Sequence, residues 1–197
     1  MYLLIESIKF IDGRFQNLAG HNARLNKARR ELWACTNDID VADYVKILKD
    51  VTKGIYKCTV TYNENIADAK FQAYTIRKIN SLKIVTDNEI EYSYKYADRD
   101  SLNKLLAQKE ECDEVLIVKH NLITDTSFSN IVFYDGTKWL TPYKPLLNGT
   151  KRQKLLREGL IEEAEITRSN LNGFSKACLI NAMLDIGDIT IDCKNIK

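Results

Sequence analysis

Histidine is scarce in this chain. There are two among 197 residues, and neither sits at ligand spacing from a cysteine or carboxylate cluster, so a metalloenzyme is not expected. The five cysteines (Cys35, Cys58, Cys112, Cys178 and Cys193) contain no CxxC pair. An odd, scattered set without a secretion signal reads as reduced thiols in the cytoplasm. The opening MYLLIESIKF is too short for a signal peptide and carries Glu6 and Lys9. No apolar run approaches the roughly 20 residues of a membrane-spanning helix. Charge excess is missing too: 29 Lys and Arg stand against 27 Asp and Glu. Neither a nucleic-acid nor a membrane partner is therefore expected. The densest basic run, KARR at 27–30, reads most simply as a solvated helix face. Internal repeats and low-complexity segments are also lacking.

What is present suits one large domain or two small lobes, since 45% of the residues are hydrophobic. Residues 2–10 alternate like a strand, and IDGR supplies Asp-Gly turn chemistry. From Leu18 the period becomes helical, with Leu25, Ala28 and Leu32 near one face and Asn17 as a candidate cap. A second helix is expected over about 41–53, then a hairpin around the polar Asn-Glu-Asn turn at 63–65. A lobe boundary is expected at about 80–92, giving a small lobe over 1–80 and a second over 85–197. The second lobe should contain strands near 82–86 and 113–118, a helix from about Ser101, a hairpin turning at Asp135-Gly136, a helix ending near Gly159, and a strand broken at Asn181. Strands and helices mix without βαβ alternation, which predicts an α+β fold.

Four polar clusters could carry chemistry. Lys95 stands among Tyr92, Tyr94 and Tyr96 with Arg99 nearby. Such surroundings disfavour its charged form and would make it a nucleophile or base; by itself, a lysine snorkelling from an edge strand is the simpler alternative. Next, LLNGTKRQ opens a helix with a Gly-Thr step, a place for a phosphate on backbone N–H groups. It lacks the first glycine of a Walker A loop, and a plain helix start is the simpler alternative. His21 and Arg24 share a helix face, and Arg suits a two-pronged grip on phosphate; a surface pair is the alternative. Finally, TDTSFSN places Asp125 before Thr126, Ser127, Ser129 and Asn130, either an aimed acid or an Asx-turn ending a strand.

In order, HxxRL at 21–25, KY at 95–96, ITDTSFSN, TP followed by LLNGTKR, and CLINAM resemble the class IV aminotransferase family over about residues 3–189. The resemblance implies a two-lobed fold-type IV enzyme, similar to D-amino acid aminotransferase, with a small first lobe and a barrel-like second. It implies pyridoxal 5'-phosphate between the lobes and a homodimer whose partner lines the substrate side. Lys95 then corresponds to the lysine that binds the cofactor covalently and moves the substrate proton. Asp125, one methylene shorter than the family's Glu, faces the ring nitrogen. Arg24 corresponds to the phosphate-binding Arg, Thr150 and Lys151 to the phosphate-holding helix start, and Asn181 and Ala182 to a second phosphate-side turn. KYADR is similar to the K-x-x-[ND]-R pattern of aminodeoxychorismate lyases, as is the Asn in LINAM. The expected reaction is loss of pyruvate from a small-molecule substrate, aminodeoxychorismate, to leave 4-aminobenzoate for folate synthesis. An aminotransferase of branched-chain or D-amino acids and a non-catalytic shortened member are the alternatives. Tyr74 and Arg77 are candidate substrate-side residues.

Overall fold

The structure, a computed structural model, describes residues 2–47 and 53–197. It divides into two compact units. The first runs to Thr75 and includes Tyr94–Asp98; the second holds Ile76–Ser93 and Arg99–Lys197.

The first unit is built on an antiparallel sheet of order β2-β1-β3-β4, from β1 (Leu4–Ile11), β2 (Arg14–Phe15), β3 (Ile55–Tyr62) and β4 (Ile66–Ala73). Burial alternates strictly along β1, so Leu4, Glu6, Ile8 and Phe10 all face inward. Asp12 and Gly13 both take positive φ, 46° and 84°, the geometry a two-residue hairpin needs. Helix α1 (Leu18–Trp33) starts from Asn17 at φ 52°, a left-handed conformation that Asn tolerates. It buries His21, Leu25, Asn26, Ala28 and Arg29. The second helix is shorter than expected. Helix α2 spans Val41–Tyr44, capped by Asp40 on the Ala42 N–H, and the chain is already extended at Val45. Val41 and Val45 both enter the core, and extension at a β-branched residue ends the helix there. The rest of the expected helix, 48–52, lies outside the described residues.

Residues 94–98 pair with β1. Ile5 N–H donates to the Lys95 carbonyl at 2.9 Å and Ala97 N–H to that of Leu3 at 2.8 Å, and Tyr96 bridges Leu4. Short β2 covers only Phe10 and Ile11 on that edge, which leaves the other end of β1 for this segment. Lys95, expected with residues 85–197, thus belongs with the first unit.

The second unit holds two sheets. In one, β6 (Glu114–Lys119) lies parallel to β5 (Leu82–Thr86) and antiparallel to β7 (Leu122–Thr126). The other has the order β10-β9-β8-β11-β12, built from β8 (Asn130–Tyr134), β9 (Trp139–Pro142), β10 (Glu162–Ala164), β11 (Lys176–Ile180) and β12 (Thr190–Asp192). Strand β6 is buried from Glu114 to Val118, as a strand covered on both faces must be. Residues 127–129 carry the chain from β7 to β8, out of one sheet and into the other. Helices α3 (Asp100–Leu106) and α4 (Thr150–Arg157) complete the unit, whose main core gathers Leu82, Leu116, Ile131, Phe133, Leu179 and Leu184.

The basic run at 27–30 is not one solvated face. Arg29 is 1% exposed, and its guanidinium donates to the carbonyls of Glu64 and Asn37 and to the amide oxygens of Asn26 and Asn37. It ties α1 to the loop before α2 and to the β3–β4 turn. Truncating it orphans several buried acceptors. Arg29→Ala should cost about 3 kcal/mol in chemical denaturation, and Arg29→Lys, lacking the planar fork, should recover only part of that.

Candidate active site

Consecutive residues of β1 hold two of the candidates. Ile5 binds the main chain of Lys95, and Glu6 binds the side chain of Arg24. Glu6 is fully buried. Its Oε1 accepts from Arg24 Nε at 2.7 Å, and its Oε2 accepts from Arg24 Nη2 at 2.6 Å. His21 Nδ1 lies 2.6 Å from Oε2, and a carboxylate that only accepts makes Nδ1 the protonated nitrogen. Burial alone would push the Glu6 carboxyl up, but the Arg24 charge and the His21 hydrogen bond outweigh it and hold it at about 2. Lys95 is half-buried, and beside it the rings of Tyr94 and Tyr96 meet edge-on at 6.1 Å.

The other candidates belong to the second unit. Asp125, the fourth residue of β7, is 5% exposed. Its Oδ1 accepts from Asn130 Nδ2 at 2.7 Å and its Oδ2 from Leu147 N–H at 2.9 Å. Burial pushes its carboxyl up to about 6, against the lowering effects of Leu147, Asn130 and the charge of Arg152. The turn after it is closed by its own hydroxyls: Thr126 Oγ1 accepts from Ser129 N–H at 3.1 Å and meets Ser129 Oγ at 2.8 Å. Asn130 also donates to the Leu147 carbonyl at 2.8 Å. Its Oδ1 sits 2.1 Å from where a Cβ at Gly149 would be, so position 149 has no room for a side chain.

Gly149 is the N-cap of α4, without a side-chain capping bond, and Thr150 and Lys151 follow as the first helical residues. Their N–H groups stand at the positive end of the helix. Thr150 is buried. The Lys151 ammonium is paired with Asp185, so the helix start offers its backbone while this side chain is engaged elsewhere. Asn181 accepts from the N–H groups of Met183 and Leu184 at 2.8 and 3.1 Å, which fixes the bend containing Ala182. Its Nδ2 donates to the Phe128 carbonyl at 3.4 Å. Asp125, Asn130, Gly149 and Asn181 therefore form one connected set around the 126–129 turn.

Four further residues enter the site in ways the sequence reading does not give; the sequence shows Arg99 only beside Lys95 and in the KYADR pattern. Arg99 Nη2 donates to the Ser127 carbonyl at 2.7 Å. Glu114 is fully buried, and its Oε1 accepts from Ser127 N–H at 3.3 Å. Among the described residues, Glu114 Oε2 has no hydrogen-bond partner. Arg152 donates to the Pro142 carbonyl at 2.9 Å and to Glu163 at 2.6 Å. Glu6 is the fourth, and its signal was present: it occupies an inward position in an alternating strand. Arg77 lies 4.5 Å over the Phe128 ring, which places that candidate beside the same turn.

The two buried carboxyls give opposite pH dependences. Glu6 is depressed, so its contribution is fully present above the unfolded value near 4.5 and is lost as pH falls toward 2. Asp125 is raised, so its contribution is fully present below 3.8 and is lost as pH rises through 6. Each is on the order of 3 kcal/mol. Denaturant melts of the cofactor-free protein should therefore show stability rising from pH 2 to about 4.5 and falling again toward pH 6 to 7. Asp125→Asn should remove the fall and Glu6→Gln the rise.

The sequence pattern of the family described as amino-transferase class IV matches residues 3–191. An uncharacterized protein of Haemophilus influenzae is 34% identical over 185 residues, covering 93% of this chain and 98% of its own. A solved structure from Haemophilus somnus, named a "putative 4-amino-4-deoxychorismate lyase", is similar at 34% identity with a TM-score of 0.84, over 93% of this chain and 97% of that one. Another, from Mesorhizobium loti, named a "putative amino-acid aminotransferase", has a TM-score of 0.85 at 21% identity with both chains wholly covered; at that identity the likeness is one of fold. The α+β arrangement of this chain is that of fold-type IV enzymes. The chain belongs to the amino-transferase class IV family, whose members depend on pyridoxal phosphate.

Proposed function

We propose that the chain is a pyridoxal-phosphate-dependent lyase that releases pyruvate from 4-amino-4-deoxychorismate and leaves 4-aminobenzoate. One observation carries this choice within the family. The two residues that mark the lyase-like motifs, Arg99 and Asn181, both donate to consecutive carbonyls of the turn after Asp125, those of Ser127 and Phe128. Both motifs thus brace the turn that holds the acid, which supports the lyase reading.

The residues fit the cofactor. Asp125 is a buried acid held by neutral donors, the Asn130 amide and the Leu147 N–H. A protonated ring nitrogen beside it would supply the positive charge that its raised proton affinity shows to be wanting. The uncapped start of α4 suits a phosphate, and a guanidinium such as that of Arg24 suits one too. When bound, the cofactor supplies an electron sink for negative charge at the substrate carbon.

The protein's own residues do the rest. Asp125 keeps the ring nitrogen protonated. Asn130 and the 126–129 turn keep Asp125 aimed. Lys95 Nζ would take the proton from the amine-bearing carbon; the electrons left behind become the substrate ring's third double bond as the adjacent carbon–oxygen bond breaks, and the departing enolpyruvate takes up a proton to become pyruvate. The reading carries a homodimer with it, the partner chain lining the substrate side. Amino-acid transamination is the second reading, and the match of residues 3–191 to the family described as amino-transferase class IV supports it.

Protein mixed with pyridoxal phosphate should turn yellow, and borohydride should fix the cofactor to the peptide containing Lys95; Lys95→Ala should stay unlabelled. Pyruvate should appear from 4-amino-4-deoxychorismate without an added keto acid. Turnover that requires a keto acid would make the protein a transaminase, and failure to take up the cofactor would make it a non-catalytic member. Asp125→Ala should cut turnover by about 100-fold or more, because it removes charge stabilisation at the ring, while Lys95 labelling persists.

A further inference from the structure

We propose that Glu6 is a positioning residue for the cofactor's phosphate grip: it locks the guanidinium of Arg24 in one orientation. The inference rests on the pyridoxal-phosphate reading and adds to it the residue that holds Arg24.

A carboxylate with no exposure is costly, and inward neighbours Leu4, Ile8 and Phe10 could all have been matched by a fourth apolar side chain. A buried ion pair is a poor source of net stability, since a hydrophobic replacement often does as well. What it supplies is orientation. Two parallel bonds from Nε and Nη2, at 2.7 and 2.6 Å, fix both the plane and the rotation of the guanidinium. His21 Nδ1, one helical turn before Arg24, holds the same carboxylate at 2.6 Å, so the carboxylate cannot swing with the arginine. Glu6 is sealed, whereas the Arg24 side chain keeps 15% of its surface exposed. An anion would therefore reach the pair from the Arg24 side and not through Glu6.

Charge leads to the same conclusion. Glu6 and Arg24 together are neutral, so Arg24 contributes aimed N–H groups more than net charge. Loosening the fork should therefore cost more than removing the negative charge gains. The position of Glu6 adds a second consequence. Its neighbour Ile5 holds the Lys95 carbonyl at 2.9 Å, so one stretch of β1 sets both the phosphate grip and the main chain of the covalent anchor.

The test compares dissociation constants for pyridoxal phosphate and for phosphate-free pyridoxal, with thermal melts of each variant. Glu6→Gln, which offers one oxygen where the fork needs two, and Glu6→Asp, which withdraws the carboxylate by one methylene, should each weaken pyridoxal phosphate by about tenfold and pyridoxal by less than about twofold. In an Arg24→Ala background Glu6→Gln should change neither constant. Arg24→Lys, which keeps the charge but cannot engage the fork, should lose the same discrimination. The proposal is overturned if the Glu6 variants discriminate as the native protein does, if their loss adds to that of Arg24→Ala, or if Arg24→Lys keeps full discrimination. Should the Glu6 variants fail to fold, the Arg24→Lys result decides. Native protein that binds both compounds equally, or neither, would instead defeat the cofactor reading itself.

Discussion

The second unit depends on one amide. Asn130 Nδ2 donates both to Asp125 and to the Leu147 carbonyl, and its oxygen lies against Gly149. Asn130 opens β8, so its backbone is fixed by pairing with Ile180 on β11. The side chain then joins the acid near the end of β7 to the loop before α4, and its oxygen packs against the cap of α4. An apolar residue there would break both hydrogen bonds, because a buried donor lost on one side leaves unpaired acceptors on the other. The hydroxyls of Thr126 and Ser129 close the turn locally, and Arg99, Glu114 and Asn181 grip its peptide groups from outside.

In the first unit the organising element is a strand rather than a side chain. The edge of β1 left uncovered by β2 takes up residues 95–97, and its inward face carries Glu6 to Arg24 and His21. Lys95 and Arg24 stand 71 positions apart in sequence, by subtraction of their numbers. Both are nonetheless referenced to two adjacent residues of one strand. In the proposed reading, covalent attachment and phosphate recognition would therefore draw their geometry from one doubly paired element, where placement is tighter than a loop allows.

Much of this was legible in the sequence because the signals were local. Asp12-Gly13 announced a turn, the apolar run within 113–118 announced a strand, and Gly149-Thr150 announced a helix start. Asp125 stood out as an acid beside small hydroxyls. The misses were of another kind. Arg29 lies in a basic run, and local charge gave no sign that carbonyls from two other segments would enclose it. β10 is short and polar, Glu162–Ala164, and exists because β9 offers an edge parallel to it. Lys151 was grouped with the helix start, but its side chain answers to Asp185 on a later loop. Glu6 was visible as a charge and overlooked as a position, since alternation is a statement about a strand and its meaning appears only when the buried face is known. Each miss involves a partner far along the chain, and periodicity carries no information about such partners.

The contact between Asn130 and Gly149 restricts how such a chain can diverge. A methyl group at 149 would overlap the amide oxygen, and shrinking residue 130 to admit it would release Asp125. Neither position can drift alone without passing through a form in which the acid is misdirected. Lineages carrying this loop should therefore be confined to a narrow passage at these two sites, while the solvent-facing residues of α4 remain open to change.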